Sequence, residues 1–176
     1  MLGPSLAYSC GYWKDAATLE EAQRAKHDLV CRKINLKNGD RILDIGCGWG
    51  GFAQYAAKNY GASIVGLTIS KEQLALAHER TKGLPVEIRL QDYRDVVDGP
   101  YDHIVSIGMF EHVGYKNYRS YMEIARRLLK EDGLFLLHTI GNNRTAWRDD
   151  PWFDKYIFPN GYLPSPRLIG KAIENI

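Results

Sequence analysis

The sequence predicts a single α/β domain over residues 1–176, with a mainly parallel sheet and helices on both faces. Three observations support this fold class. Segments whose apolar residues recur at helical spacing alternate with short apolar runs of strand length. A glycine-rich turn joins the first of these runs to the helix behind it. A chain of 176 residues is also long enough to bury one substantial core.

The elements begin with a helix predicted over about residues 18–34. Thr18-Leu19-Glu20-Glu21 has the spacing of a capping box, which marks a helix start. Ala22, Ala25 and Leu29 then recur at helical spacing.

Five strands and three further helices follow. The predicted strands are 41–45, 63–67, 86–90, 103–107 and 134–139. The last is a continuous apolar run, which predicts a buried strand. One helix follows the glycine-rich turn and stops near Gly61, and a second opens at Ser70 and ends about Gly83. A third presents an apolar face between Tyr118 and Leu129.

The chain changes in character after residue 141. Prolines interleaved with aromatic residues predict an irregular segment; they are Pro151, Pro159, Pro164, Pro166, Trp147, Trp152, Phe153, Tyr156, Phe158 and Tyr162. A new helix is predicted over 165–176, and the chain stops inside it. We therefore expect a C-terminal truncation that removes the final strands. An exposed sheet edge would then favour a homo-oligomer.

Composition and charge exclude several classes of protein. The 23 basic and 21 acidic residues leave a net charge of +2 without a basic cluster, so no nucleic-acid partner is expected. The sequence shows neither a membrane span nor a signal peptide, which predicts a cytoplasmic protein. Cys10, Cys31 and Cys47 form no C-x-x-C pair, and the five histidines are scattered. Reduced thiols and no metal site are therefore expected.

The glycine-rich turn indicates a nucleoside-containing ligand. Gly46, Gly48 and Gly51 satisfy G-x-G-x-x-G, which would also suit a nicotinamide or flavin dinucleotide. However, the second strand ends in Thr68 without the acid that holds a dinucleotide ribose. Asp44 would repel a pyrophosphate, but it suits a ligand with an ammonium and a sulfonium. The run Leu-Asp-Ile-Gly-Cys-Gly resembles the first motif of class I S-adenosylmethionine-dependent methyltransferases, whose fold is Rossmann-like.

Further cofactor contacts are predicted after the second and third strands. Thr68, Ile69 and Gln73 stand where an acid usually holds the ribose, and a neutral amide can both donate to and accept from its hydroxyls. Asp92 could accept from the adenine amino group, and Tyr93 could supply a backbone donor or a packing face. The alternative is that Ser70 and Gln73 only cap a helix.

Six motifs in order resemble the cyclopropane-fatty-acyl-phospholipid synthase family, which includes the mycolic acid cyclopropane synthases. They lie at residues 8–13, 43–51, 65–70, 108–114, 137–141 and 156–161, and the resemblance covers nearly the whole chain from residue 7. It implies transfer of a methylene group from S-adenosylmethionine to a cis double bond of an unsaturated phospholipid acyl chain. A carbocation would form, and bicarbonate would remove a proton as the ring closes.

The resemblance also implies residue roles. Glu111 and His138 would hold the bicarbonate through their side chains, and Cys10 and Ile140 largely through backbone groups. Tyr8 and Ser9 would lie beside the cofactor. Peripheral contact with the inner membrane face is implied as well. Family members continue past the end of this chain with a tyrosine of the bicarbonate site, so weak or absent activity of the chain alone is expected.

The strand pattern supports part of this independently, and alternatives remain. Gly46, Glu111 and His138 follow or end predicted strands, at the sheet edge where ligands bind in open α/β folds. A histidine that closes an apolar strand needs a partner, although it could be a satisfied core residue. His112 is interpreted as packing. A non-catalytic cofactor-binding fragment and a methyltransferase for another carbon or small molecule are the competing functions.

Overall fold

The computed structural model describes residues 2–145, 151–157 and 162–176. The helices in these ranges are α1 (Leu19–Lys33), α2 (Gly51–Tyr60), α3 (Lys71–Arg80), α4 (Tyr118–Leu128), α5 (Pro151–Tyr156) and α6 (Pro166–Ile173). The strands are β1 (Arg41–Ile45), β2 (Ser63–Thr68), β3 (Val86–Leu90), β4 (Tyr101–Ile107) and β5 (Leu129–His138). Short 3-10 turns occur at Tyr93–Asp95, Phe110–His112 and Tyr115–Asn117.

The five strands form one sheet in the order β3-β2-β1-β4-β5, and every pairing is parallel. The chain builds outward from β1 through β2 to β3 and then returns to place β4 on the other side of β1. The strand order therefore reverses between β1 and β4. In open α/β sheets, the carboxyl ends of the strands at such a reversal form a crevice that binds ligands.

Helices cover both faces of the sheet, as the sequence predicts. Side chains that alternate along a strand point to opposite faces. Leu43 and Ile45 belong to a core that includes residues of α4 and α6. Ile42 and Ile64 belong to a second core that includes residues of α1, α2 and α3.

The start of α1 confirms the predicted capping box, and the buried face of the helix includes polar residues. The Thr18 hydroxyl accepts from the Glu21 backbone N–H at 3.2 Å, and the Glu21 carboxylate accepts from the Thr18 N–H at 3.0 Å. The fully buried positions include Ala22, Lys26 and Val30, which lie four residues apart. Ala25 and Leu29 are only half-buried.

Two predictions after residue 128 are wrong. β5 begins at Leu129 rather than at Leu134, and it is not a buried strand, because Leu134 is 45% exposed. The reason is that β5 is the edge strand of the described sheet and pairs only with β4. The segment predicted to be irregular contains the helix α5. Trp147 and the 158–161 part of the last family motif lie outside the described residues.

No helix in the described part of the chain combines the length and the apolarity needed to cross a membrane.

Candidate functional site

A cavity of about 1160 Å³ lies at the carboxyl edge of the sheet, between that edge and the N-terminal arm (residues 2–13). Every residue that the sequence predicts for the site lines this cavity. They are Tyr8, Ser9, Cys10, Asp44, Gly46, Gly48, Thr68, Ile69, Gln73, Asp92, Tyr93, Glu111, His138 and Ile140. The fold therefore brings all of them together, and their individual roles remain predictions.

Asp44 places a buried carboxyl group against the cavity. It is the next-to-last residue of β1 and is 2% exposed. Its Oδ2 atom is buried without a hydrogen-bond partner among the described residues, and burial raises the pKa of the carboxyl to about 7. Burying such a group unpaired is costly. A cationic ligand group placed beside it would offset that cost.

The turn after Asp44 depends on glycine geometry. Gly46 and Gly48 have φ values of +83° and +53°, which residues with a Cβ rarely adopt. The backbone N–H groups of Gly46 and Cys47 donate to the Leu67 carbonyl at 3.1 and 2.8 Å, which ties the turn to β2. A Cβ on Gly46 would lie 2.7 Å from the Met109 side chain. The turn can therefore follow this path only with glycine at position 46.

A hydrogen-bonded chain of side chains follows β2. Thr68 Oγ1 donates to Gln73 Oε1 at 2.6 Å, and Gln73 Nε2 donates to the Tyr8 hydroxyl at 3.3 Å. The Ser70 hydroxyl caps α3 by accepting from the Gln73 backbone N–H. Ser70 is thus a cap, whereas the Gln73 side chain has no capping role and lines the cavity. Ile69 is 83% exposed where it lines the cavity.

Asp92 and Tyr93 line the cavity directly after β3. The two carboxylate oxygens of Asp92 accept from Arg94 Nε and Nη2 at 2.9 and 2.7 Å, and this pairing lowers the pKa of Asp92. The Tyr93 ring contacts the Tyr121 ring edge-on, with centroids 4.9 Å apart. An adenine amino group bound by Asp92 would have to share the carboxylate with Arg94.

Glu111 and Ile140 form a direct contact across the cavity wall. Glu111 is 1% exposed, and its Oε1 atom accepts from the Ile140 backbone N–H at 2.6 Å. Its Oε2 atom is buried and has no partner among the described residues. The Ile140 N–H is therefore already engaged by Glu111, so a bicarbonate could use this N–H only by sharing or displacing that bond.

His138 and Cys10 meet at the end of β5. Cys10 Sγ lies 3.6 Å from His138 Nε2. Within the described residues His138 Nδ1 is buried without a partner, which speaks against a satisfied core histidine. Burial, followed by the charge of Lys26, lowers the pKa of His138. The imidazole is therefore mainly neutral at pH 7.

The sequence prediction missed two buried polar residues of α1 that hold the N-terminal arm. Lys26 Nζ donates to Ser9 Oγ at 2.8 Å, and Gln23 Nε2 donates to the Ser9 carbonyl at 2.8 Å. Both side chains line the cavity. The spacing of Ala22, Lys26 and Val30 could have identified Lys26, because it places a lysine within an apolar stripe.

The arm also crosses α1 at very close range. A Cβ on Gly11 would lie 2.8 Å from the Cβ of Ala22, and the Tyr12 N–H donates to the Ala22 carbonyl at 2.9 Å. On the α3 side, the Arg80 guanidinium donates to the Pro4 and Ser5 carbonyls at 2.7 and 3.1 Å. These contacts fix the arm over the cavity at both ends.

Comparison with known proteins gives a consistent result. The family model described as mycolic acid cyclopropane synthetase matches residues 1–176. Cyclopropane-fatty-acyl-phospholipid synthase of Escherichia coli strain K12 is 59% identical over 174 residues, covering 99% of this chain and 45% of that protein. A probable fatty acid methyltransferase of Pseudomonas putida is 42% identical over 183 residues, covering 98% of this chain and 46% of that protein.

A solved structure also shares the fold of this chain. It is mycolic acid cyclopropane synthase CmaA1 complexed with SAH and CTAB, with a TM-score of 0.86 and 36% identity. The match covers 97% of this chain and 66% of that one. The chain spans less than half the length of the two curated relatives described above.

Proposed function

The chain belongs to the mycolic acid cyclopropane synthetase family, and from this membership we propose that it carries the cofactor-binding part of a lipid-modifying methyltransferase. The enzyme would transfer a methylene group from S-adenosylmethionine to the cis double bond of an unsaturated phospholipid acyl chain. The observation that carries the proposal is the Asp44 carboxyl, whose Oδ2 has no partner in the described part of the chain, in the same cavity as Glu111 and His138.

The lining of the cavity suits S-adenosylmethionine as the co-substrate. Asp44 would accept hydrogen bonds from its ammonium group, which fits a buried carboxyl whose Oδ2 has no protein partner. The turn at Gly46 and Gly48 lets the ligand approach the backbone closely. Gln73 would hold the ribose hydroxyls, because its amide both donates and accepts. Asp92 and Tyr93 would bind and cover the adenine.

The chemistry requires an electron-rich alkene beside the sulfonium methyl. The π electrons would form a bond to the methyl carbon while the carbon–sulfur bond breaks and its electrons stay on sulfur. The cation left on the lipid closes to a ring when a proton leaves the new methyl group, since the freed C–H electrons form the second ring bond. Bicarbonate, when bound, supplies the base that takes this proton.

The residues near His138 fit such an anion. The buried Glu111 Oε2 atom has no partner among the described residues and can accept from the hydroxyl of a bicarbonate. His138 can donate one ring N–H to a carboxyl-type oxygen. Cys10 would contribute through its backbone. These groups would orient the base and hold the proton-accepting oxygen in place.

The lining of the cavity includes exposed apolar side chains, which suit an acyl chain. Tyr8, Trp13, Ile69 and Ile140 all line the cavity, and each is more than half exposed. Apolar side chains gathered at a cavity mouth mark a site for a ligand or a membrane surface. We therefore propose unsaturated phospholipid acyl chains as the substrate, reached by peripheral contact with the cytoplasmic face of the membrane.

Lipid analysis of cells that express a full-length version of the protein tests the proposal. We expect unsaturated acyl chains to gain the mass of one CH2 group, and proton NMR of the extracted lipid to show the high-field signals of a cyclopropane ring. The matched control is the same full-length protein with Asp44→Asn, which should give less of both changes because its affinity for the cofactor is lower. Unmodified lipid from cells that contain folded, cofactor-binding protein would refute the assignment.

A methyl-branched product is the second candidate, because a relative 42% identical is named a probable fatty acid methyltransferase. A branched product forms when the cation loses a proton from a neighbouring chain carbon, which restores a double bond. It then carries the same added mass as the ring, so the NMR signals decide between them. A methyl resonance without ring protons would favour the branched product. Binding of S-adenosylhomocysteine to the full-length protein without any transfer would favour a non-catalytic role.

A further inference from the structure

Lys26 is a buried lysine without a carboxylate partner. It is 5% exposed on α1, and no Asp or Glu of the described residues lies within ion-pair distance of its Nζ atom. Its hydrogen bond among these residues goes to Ser9 Oγ at 2.8 Å. An ammonium group carries three N–H donors, so two are available to a ligand.

Other cationic groups of the cavity do not offer the same charge. Arg94 also lines the cavity, but its guanidinium is paired with Asp92 at 2.7 Å. His27 is buried, and burial lowers its pKa to about 3, so its ring is neutral. Of the described lysines and arginines that line the cavity, Lys26 alone has no ion-pair partner.

The position of Lys26 connects it to the end of β5. Ser9, which accepts from Lys26, is followed directly by Cys10, and Cys10 Sγ lies 3.6 Å from His138 Nε2. Burial lowers the pKa of Lys26 to about 8, and the charge of Lys26 helps to lower the pKa of His138. A buried cation with a suppressed pKa regains stability when an anion binds beside it.

We propose that Lys26 is the cationic anchor for a small oxyanion of the carboxylate type, bound beside the Ser9–Cys10 segment and His138. The inference rests on the proposed function, because that function brings two such anions into the cavity. One is the carboxylate of the cofactor's amino-acid group, and the other is free bicarbonate. Both would take the N–H donors that Lys26 does not use on Ser9.

Calorimetry on this chain tests the anchor and separates the two sources. The variants are Lys26→Met, which removes the charge at similar size, Lys26→Arg, which keeps it, and Lys58→Met as the control at an exposed lysine of α2. The probes are S-adenosylhomocysteine and 5′-methylthioadenosine, which lacks the amino-acid group. Bicarbonate binding to the S-adenosylhomocysteine complex is measured separately by carbon-13 NMR.

A charge-assisted contact of this kind changes affinity by about tenfold or more. If the cofactor carboxylate is the anion, Lys26→Met weakens S-adenosylhomocysteine by that factor and leaves 5′-methylthioadenosine unchanged. If bicarbonate is the anion, both nucleosides bind normally and bicarbonate binding weakens instead. Lys26→Arg should stay within about threefold of the unmodified chain. Unchanged binding of all three probes to folded Lys26→Met, or equal losses in Lys26→Arg and Lys26→Met, would overturn the proposal.

The pH dependence keeps the test valid even if Lys26→Met does not fold. Binding of the responding anion should weaken between pH 7 and 9 as Lys26 loses its proton, and Lys26→Arg should remove this decline. The titratable groups that interact with Lys26 are Cys10, His27 and His138, and any decline that they cause would persist in Lys26→Arg. A decline that is as large in Lys26→Arg as in the unmodified chain contradicts the anchor. If the unmodified chain does not bind S-adenosylhomocysteine, the proposed function itself is refuted.

Discussion

Two aspartates, Asp44 in β1 and Asp98 in the segment before β4, show opposite states of a carboxyl group. Asp98 accepts from the Arg41 and Arg89 guanidinium groups at 2.7 and 2.8 Å and from the Tyr101 hydroxyl at 3.1 Å. These partners, Arg89 foremost, hold the pKa of Asp98 well below its usual range. Asp44 is more deeply buried, its Oδ2 has no partner among the described residues, and burial raises its pKa.

The difference separates groups that stabilise the fold from groups that await a ligand. Asp98 and its partners satisfy one another and would gain nothing from a bound molecule. Asp44, Glu111 and His138 each keep a buried atom without a partner among the described residues, and all three line one cavity. Polar atoms left unpaired in a buried place destabilise the unliganded protein and mark where binding is favourable.

The largest effect is expected for Glu111→Gln in a full-length version of the protein. The amide keeps an oxygen for the Ile140 N–H, but it replaces the free Oε2 acceptor with a donor. Without this acceptor the bicarbonate base is no longer held in place. We expect product formation to fall by about 100-fold or more, since general base catalysis contributes at least this much. Affinity for S-adenosylhomocysteine should change by less than about threefold. The measurements are labelled-methyl transfer to phospholipid vesicles and calorimetry.

Glu123→Gln is the matched control, because Glu123 is half exposed and pairs with Arg119 on the surface of α4. Neither activity nor affinity should respond to it. An unchanged product yield in Glu111→Gln would show that the proposed role of Glu111 in product formation is wrong.

The next largest effect is expected from exchanging the two aspartates for asparagine. Asp44→Asn should weaken S-adenosylhomocysteine binding by about 10- to 100-fold, because a charge-assisted contact to the ammonium is lost. Asp98→Asn should leave that affinity unchanged and instead lower the free energy of unfolding by about 1–2 kcal/mol, a modest value because its partners are partly exposed to solvent. Calorimetry and urea unfolding measure the two quantities. Equal loss of affinity in both variants would contradict the comparison.

The pH dependence of stability sharpens the same contrast. A carboxyl whose pKa is near 7 when folded and about 3.9 when unfolded binds more protons in the folded state between these values. Burial of Asp44 should therefore lower stability as pH rises from about 4 to 7, whereas buried His27, whose pKa is lowered to about 3, raises stability over much of the same range. Asp44→Asn removes only the first contribution, so its stability should rise more steeply with pH than that of the wild type. Asp98 has the opposite sign, since its stabilisation is complete above about pH 4 and is lost only in stronger acid. Urea unfolding of both proteins across pH 4.5 to 7.5 measures this difference, and equal slopes would show that burial does not raise the pKa of Asp44.

The smallest effects are expected at Ser70 and Gln73, where the cavity contains groups that already have partners. Ser70→Ala removes the cap of α3 and should lower the free energy of unfolding by about 1 kcal/mol with little change in affinity. Gln73→Ala should weaken S-adenosylhomocysteine binding by about five- to tenfold, because the ribose hydroxyls lose their hydrogen bonds to the Gln73 amide. Thermal unfolding and calorimetry separate the two. A reversed pattern would mean that Gln73 only supports the helix.

The common location of the candidate site residues was predicted better than the outer part of the fold, and their roles stay predictions. The residues of the site stand in short motifs at strand ends, so their common location follows from the parallel order of the sheet. The burial of β5 could not be predicted, because an apolar run does not tell whether a strand has one neighbour or two. Lys26 was missed for a different reason. A lysine in a helix usually occupies a solvated position, so the spacing with Ala22 and Val30 is a weak signal, and the contact with Ser9 shows that Lys26 belongs to the cavity.

The crossing of Gly11 over Ala22 makes two residues without functional groups essential to the register of the arm. Adding a single methyl at Gly11 would push against Ala22 and lift the adjoining Cys10 and Ser9 from their places by a fraction of an ångström or more. Random mutagenesis with a colony screen for lost lipid modification should therefore recover substitutions at this pair as readily as at Glu111, although neither residue could take part in any bond-making step.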